Sequence, residues 1–256
     1  MLEHWPGPLR RGLFKIVGVD WADRLLNQAW RAGNGQLHGM LDWLFRRNAF
    51  QLEVENAELI DDLGSCIVAG NHPHGLFDGL ALAWLASRPG LKTRVIARHF
   101  LNVFEPLQRI FLSVRLDNQR RSRTGRASLN AAEALLAEGG RLVMTPAGGI
   151  SVAQPFWQQA KDPKWRTGVV RLAHTSGKPI VLVDVQMAQS PTRQLLHRIH
   201  PIVRALAQVW AYRLGKRQRI RLKVIAVVQP EDLPHDQPLP AQAAWLQAMH
   251  QPAQLP

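Results

Sequence analysis

The sequence predicts an α/β protein, built as a mixed, mostly parallel sheet flanked by helices and preceded by an N-terminal amphipathic helical segment. Three observations predict it. From about residue 52 short apolar runs alternate with stretches of helical periodicity, a βαβα order that packs as an open sheet covered by helices. Those runs are bounded by Gly- and Pro-containing turns, as buried strands are. The first 50 residues lack the alternation and read as helix, with tryptophans set among arginines.

Residues 1–50 form the N-terminal segment. Trp5, Trp21, Trp30 and Trp43 stand beside Arg10, Arg11, Lys15, Arg24, Arg31, Arg46 and Arg47. Gly33-Asn34-Gly35 breaks the segment into two helical pieces. Helices of this kind either lie in a lipid headgroup layer or use their tryptophans to fill a core seam. Residues 51–230 form the α/β domain. Strands are expected at 65–70, 93–97, 111–116, 141–145, 179–186 and 219–228, with helices at 79–86, 127–137 and 167–175. From Arg198 to Leu214, the residues Ile199, Ile202, Val203, Leu206, Val209, Trp210 and Leu214 share one helical face. That face suits packing on the sheet or contact with an anionic membrane. Residues 231–256 form a Pro- and Gln-rich C-terminal tail with one short helix at 241–249, expected to wrap the surface or fray.

Composition narrows the class. The 256 residues are 46% hydrophobic, enough for a sizeable core. No run approaches the ~18 uninterrupted apolar residues that a spanning helix needs. The N-terminus has no short apolar core followed by a small-residue cleavage site, so no secretory signal is expected. The single cysteine, Cys66, excludes an internal disulfide and fits a reducing cytosol. Its place in an expected strand makes it a buried, inert thiol. The formal net charge of +13 favours anionic partners: nucleic acid, an anionic membrane surface or an acidic carrier protein. The basic residues also cluster. Arg115, Arg120, Arg121, Arg123 and Arg126 form one group, and Arg193 to Lys223 holds nine Lys/Arg with no Asp or Glu. The chain has one tyrosine and no nucleic-acid-binding motif, so no specific nucleic acid partner is expected. A nonspecific, salt-sensitive nucleic-acid-binding module stays as an alternative.

The segment richest in chemistry is Asn71-His72-Pro73-His74-Gly75-Leu76-Phe77-Asp78-Gly79, between the apolar run Cys66–Gly70 and a helix. It places Asp78 near a helix N-terminus, where a carboxylate is favoured. A histidine held by that carboxylate at a strand-to-helix turn is a candidate general base. His72, His74 and Asp78 are also ligand types for a metal-dependent hydrolase. A metal would need further ligands, however. The other histidines, His4, His38, His99, His174, His197, His200, His235 and His250, are scattered, so no bound metal or other cofactor is expected.

Val68–Leu82, VAGNHPHGLFDGLAL, resembles the first motif of the glycerolipid acyltransferases, the lysophosphatidic acid acyltransferase-like superfamily. The common form of that motif has four residues between histidine and aspartate. Five separate His72 from Asp78, as in a bacterial branch with an NHP…G–DG form. Ser113–Asn118, around Arg115, looks like the second motif, where an arginine near a strand end contacts acceptor phosphate. Met144–Ser151, MTPAGGIS, looks like the third, commonly F-P-E-G-x-x-S, and Lys178–Val183 looks like the fourth. Asp162–Gly168, DPKWRTG, also suits the bacterial branch. The chain departs from the pattern at Ala147, where the third motif keeps a glutamate, and at Gly149, where the bacterial branch can place an acid.

The resemblance, which covers about residues 60–190, implies transfer of a fatty acyl group from an acyl-thioester, acyl-CoA or acyl-carrier protein, to a lysophospholipid or related lipid. It implies His72 as base and Asp78 as its orienting partner, with His74 in a supporting role. Arg115, Pro146, Gly148, Gly149 and Ser151 become the expected substrate-binding positions. Glycine lets a backbone approach closely, so the Gly148-Gly149 N–H groups are candidate oxyanion donors. The expected location is cytoplasmic, peripheral at the cytoplasmic face of the inner membrane, against an anionic membrane surface.

Overall fold

The computed structural model describes residues 18–98, 104–114, 121–152, 160–188, 209–210, 212–214 and 218–250. Seven strands make one sheet: β1 (Gln51–Glu55), β2 (Ile67–Gly70), β3 (Thr93–Arg98), β4 (Phe111–Val114), β5 (Arg141–Met144), β6 (Ile180–Met187) and β7 (Arg219–Val228). The helices around it are α1 (Val19–Ala32), α2 (Leu37–Arg47), α3 (Glu58–Asp61), α4 (Leu76–Ala86), α5 (Glu105–Gln108), α6 (Arg121–Ala137), α7 (Gly168–Ser176) and α8 (Leu239–His250). The strand order is β1-β7-β6-β2-β5-β3-β4. Neighbouring strands run parallel except β6 and β7, which are antiparallel.

The sheet divides its side chains by the period of two. Val68, Val143, Val181 and Val183 point to one face and join a core with Leu25, Leu41, Leu44 and Phe45 of the N-terminal helices and Phe77, Leu82 and Leu85 of α4. Their neighbours Ile67, Ala69, Leu142, Met144, Ile180 and Leu182 point to the other face, where α6, α7 and α8 supply Leu135, Leu136, Val169, Leu172, Ala243 and Leu246. Strands buried on both faces read as near-continuous apolar runs, as β2 does throughout and β5 does after Arg141.

The expected strands all form, with ends moved by a few residues. β1 is additional. Its Gln-Leu-Glu-Val-Glu alternation is that of an edge strand with one wet face. Glu53 there pairs with Arg219 and Arg221 of β7, and Glu55 with Arg221 and Lys223.

The two N-terminal helices break at Gly33-Asn34-Gly35 as expected. Trp21, Trp30 and Trp43 are partly buried and pack against the core, each with an arginine over its ring: Arg213, Arg109 and Arg47. Trp5 lies outside the described residues. The expected apolar face of 198–214 is visible only at its end. There Tyr212 is buried and donates its hydroxyl to the Leu44 carbonyl at 2.6 Å. Trp210 and Leu214, read as part of a face for sheet packing or membrane contact, are 41% and 68% exposed, while Ile199, Ile202, Val203 and Leu206 lie outside the described residues. The C-terminal segment is anchored over 239–250: Gln242, Ala243, Leu246 and His250 are buried, and His250 Nε2 lies 3.0 Å from the Val183 carbonyl.

Candidate active site

β2 is central in the sheet, and the chain leaves its carboxyl end through Asn71–Gly75 into α4. In open parallel sheets the crevice beyond the strand carboxyl ends is the usual ligand site. Asn71 fixes this exit to β6. Its side-chain amide donates to Asp184 (3.0 Å) and the Val185 carbonyl (3.2 Å), and its carbonyl oxygen accepts the Val185 N–H (2.7 Å). Gly75, at φ 120°, makes the turn into α4 that a side chain would resist.

The helix begins at Leu76, earlier than its apolar run suggests, so Asp78 is the third residue of its first turn. Its carboxylate accepts the backbone N–H of His74 (2.9 Å) and of Gly75 (2.9 and 3.0 Å). A carboxylate at this position reaches back over free N–H groups at the helix start. His72 Nδ1 lies 3.0 Å from Asp78 Oδ2, with the ring off the best alignment for a hydrogen bond. Asp78 is fully buried, while the His72 side chain keeps 20% of its surface exposed. Burial works to raise the Asp78 pKa. The adjacent His72 ring, the His74 imidazole and the Gly75 N–H outweigh it, and the carboxyl sits below its ordinary value. With Nδ1 turned to Asp78, Nε2 is the nitrogen of His72 left for a substrate.

His74 is 5% exposed and packs on Phe77, ring centres 5.2 Å apart. Among the described residues no group of three or more His, Cys, Asp or Glu side chains converges as metal ligands. A pocket of about 570 Å³ lined by Ala32, Gly39, Asp42, Trp43, Arg46 and Arg47 opens on the N-terminal helices and shares no residue with this turn.

The second loop at this end leaves β5. Gly148, at φ 66°, closes a turn by donating its N–H to the Thr145 carbonyl (2.9 Å). Its N–H is thereby committed, so of the two expected oxyanion donors only that of Gly149 stays open among the described residues. A Cβ on Gly148 would lie 2.9 Å from Arg166 Nε, so the absence of a side chain lets the guanidinium rest on the turn. Pro146 offers its carbonyl to the Arg166 N–H (3.0 Å). Ala147 is 3% exposed within the apolar cluster. The slot at the position of the motif glutamate is thus apolar here. Ser151, 1% exposed, donates its N–H to the His72 carbonyl at 2.8 Å.

Sequence reasoning missed Asp162 as a participant. It accepts the His72 N–H (3.1 Å), the Ser151 hydroxyl and the Trp165 indole N–H (3.0 Å). A carboxylate is therefore present beside Ser151, supplied from further along the same β5–α7 connection. Arg115 and Arg120 lie outside the described residues, as do the side chains of Arg121 and Arg123; the Arg126 side chain is exposed.

A family model described as Acyltransferase matches residues 51–186, more than half of the 256. The chain belongs to the Acyltransferase family. The match runs from β1 into β6 and takes in the His72–Asp78 turn, the β5 turn and Asp162, while α1, α2, β7 and α8 of this acyltransferase lie outside it. Among solved structures, the 1-acyl-sn-glycerophosphate (LPA) acyltransferase PlsC from Thermotoga maritima is similar. It superposes with a TM-score of 0.52 over 95% of this chain and 94% of that one, at 15% identity. At that identity the likeness speaks for the α/β fold. A search of curated proteins found no match.

Proposed function

We propose that this acyltransferase moves a fatty acyl group from an acyl-thioester, acyl-CoA or acyl-carrier protein, to a hydroxyl of a lysophospholipid or related lipid. The observation that carries the proposal is the pairing of His72 with the buried, ionised Asp78 beyond the carboxyl end of the central strand. A thioester is already activated, so the protein's main task is to take the acceptor proton as the oxygen attacks. His72 Nε2 accepts that proton while the new C–O bond forms. Asp78 stabilises the resulting imidazolium, as the carboxylate of a Ser-His-Asp triad does. Collapse of the tetrahedral intermediate breaks the C–S bond, and the proton on Nε2 passes to the departing thiolate. The open N–H of Gly149 is the donor available to the oxyanion. Arg115, just past β4, is the proposed contact for acceptor phosphate. The apolar slot at Ala147 favours an acceptor that does not depend on the motif glutamate.

The same reading places the enzyme peripherally on an anionic membrane, at the cytoplasmic face of the inner membrane. Supporting it are the net charge of +13 and the exposed Trp210 and Leu214 beside Arg213, whose guanidinium lies 4.9 Å over the Trp210 ring. No helix among the described residues is long and apolar enough to cross a membrane.

The test is thiol release from palmitoyl-CoA and palmitoyl-acyl-carrier protein with a panel of lysophospholipids, followed by mass spectrometry of the product. His72→Ala and Asp78→Asn should each lower kcat by at least ~10³-fold while circular dichroism stays unchanged. Full transfer by His72→Ala would overturn the mechanism.

A further inference from the structure

The His72 peptide is gripped on both sides by groups distant in sequence. Its carbonyl takes the Ser151 N–H, and its N–H goes to Asp162 Oδ1, 90 residues away. The same Oδ1 accepts the Ser151 hydroxyl, and Oδ2 accepts the Trp165 indole N–H. One carboxylate thus joins the loop after β2 to two parts of the β5–α7 connection, around Ser151 and around Trp165. The Trp165 part is itself held firmly. Trp165 is 2% exposed and donates its backbone N–H to Gln247 Oε1 on α8 (3.0 Å). The Gln247 amide donates in turn to the Pro163 carbonyl (3.1 Å). The Arg166 N–H ties back to Pro146 in the β5 turn.

Building on His72 as the base, we infer that Asp162 is a positioning residue for this reaction, acting through the His72 peptide and not on the substrate. Three donors converge on it, and a carboxylate satisfies all three where a neutral amide cannot. Hydrogen bonds to an ionised acceptor are about twice as strong as neutral ones. A base displaced by about 1 Å loses on the order of 10²-fold in rate.

The side-chain chemistry sets a specific test. In Asp162→Asn the amide oxygen can keep the His72 N–H and Ser151 hydroxyl, which leaves the NH₂ facing the Trp165 indole N–H, donor against donor. Trp165→Phe removes that conflict. The expected result for Asp162→Ala is a loss of kcat on the order of 10²-fold with KM for palmitoyl-CoA and lysolipid nearly unchanged. In a double-mutant cycle, Trp165→Phe should be about tenfold less harmful to kcat in the Asp162→Asn background than in the parent. Amide hydrogen exchange should rise in the 70–78 peptide of Asp162→Ala while the β2 and β6 peptides keep their protection. His72→Ala is run alongside. If it is inert while folded Asp162→Ala keeps parental kcat, or if the cycle is additive, the positioning role fails and the base assignment stands. If His72→Ala is as active as the parent, the base assignment fails, and exchange in the 70–78 peptide still decides whether Asp162 holds the turn. Should Asp162→Ala not fold, the Asn cycle carries the test, and additivity there overturns the inference.

Discussion

Asp78 carries a charge where no part of its side chain meets water, and the fold tolerates this because donors surround it. Two backbone N–H groups and the His72 ring offset the desolvation cost of the carboxylate. Its folded pKa therefore lies below the ordinary value of 3.8. A depressed pKa favours the folded state at every pH above the unfolded value, and the gain is lost as pH falls through the folded one. Urea unfolding from pH 7 down to pH 3 should show this contribution intact until about pH 4 and shrinking below it. Asp78→Asn should be less stable at pH 7 by about 1–3 kcal/mol, with the gap to the parent narrowing in acid. Parallel curves would contradict the assignment. At this scale His72 and Asp78 were legible because they share one turn, so local turn and helix-start chemistry connects them. Asp162 was not legible. Its segment DPKWRTG stood out, but nothing local says that its carboxylate returns to His72. Ser151 was read as a substrate-binding or turn position; its N–H goes to the His72 carbonyl and its hydroxyl donates to Asp162.

At the level of elements, one buried arginine joins several segment ends. Arg141, first residue of β5, is 2% exposed. Its Nε donates to the Gly64 carbonyl (3.0 Å), Nη1 to Ala86 at the end of α4 (3.2 Å), and Nη2 to Ile60 in α3 (3.0 Å) and to Leu63. The last carbonyls of a helix have no partner within it, and here a side chain from a neighbouring strand provides one. Arg141→Ala leaves these acceptors orphaned and should cost about 3 kcal/mol, read as a lower Tm; Arg141→Lys should recover little, because a single ammonium cannot match the planar fork. An unchanged Tm for the alanine variant would refute this account. The periodicity of the sequence located most elements, since period-two and 3.6-residue patterns are properties of neighbouring residues. It passed over β1, whose charged alternation is that of an exposed edge. It also underrated α8, whose Pro- and Gln-rich surroundings suggested a tail that wraps the surface or frays, while Ala243 and Leu246 dock on the core.

Over the whole molecule, the loops after β2 and β5 leave adjacent parallel strands at one end of the sheet, and β4 ends on that same side. The proposed membrane contact belongs to this scale because it depends on summed charge and on which apolar side chains the fold leaves outside. Vesicles rich in phosphatidylglycerol should carry the protein upward in flotation at low salt. They should release it near 1 M salt, where the screening length falls to about 3 Å. Trp210→Ala with Leu214→Ala should weaken flotation without changing Tm. A parent protein that stays in the soluble fraction at low salt would sink the proposal.

The sequence by itself determined the alternation of strands and helices, the excess positive charge, the inert burial of Cys66 and the His72–Asp78 turn. Each is written in residue type or short-range spacing, where the physics is local. Only the tertiary structure decided the order β1-β7-β6-β2-β5-β3-β4, the insertion of antiparallel β6–β7 pairing into a parallel sheet, and the outward turn of Trp210 and Leu214. It also decided that Asp162 meets His72. Such contacts form because whole apolar faces must be covered at once, and the partners this brings together are set by the packing of layers rather than by any distance along the chain.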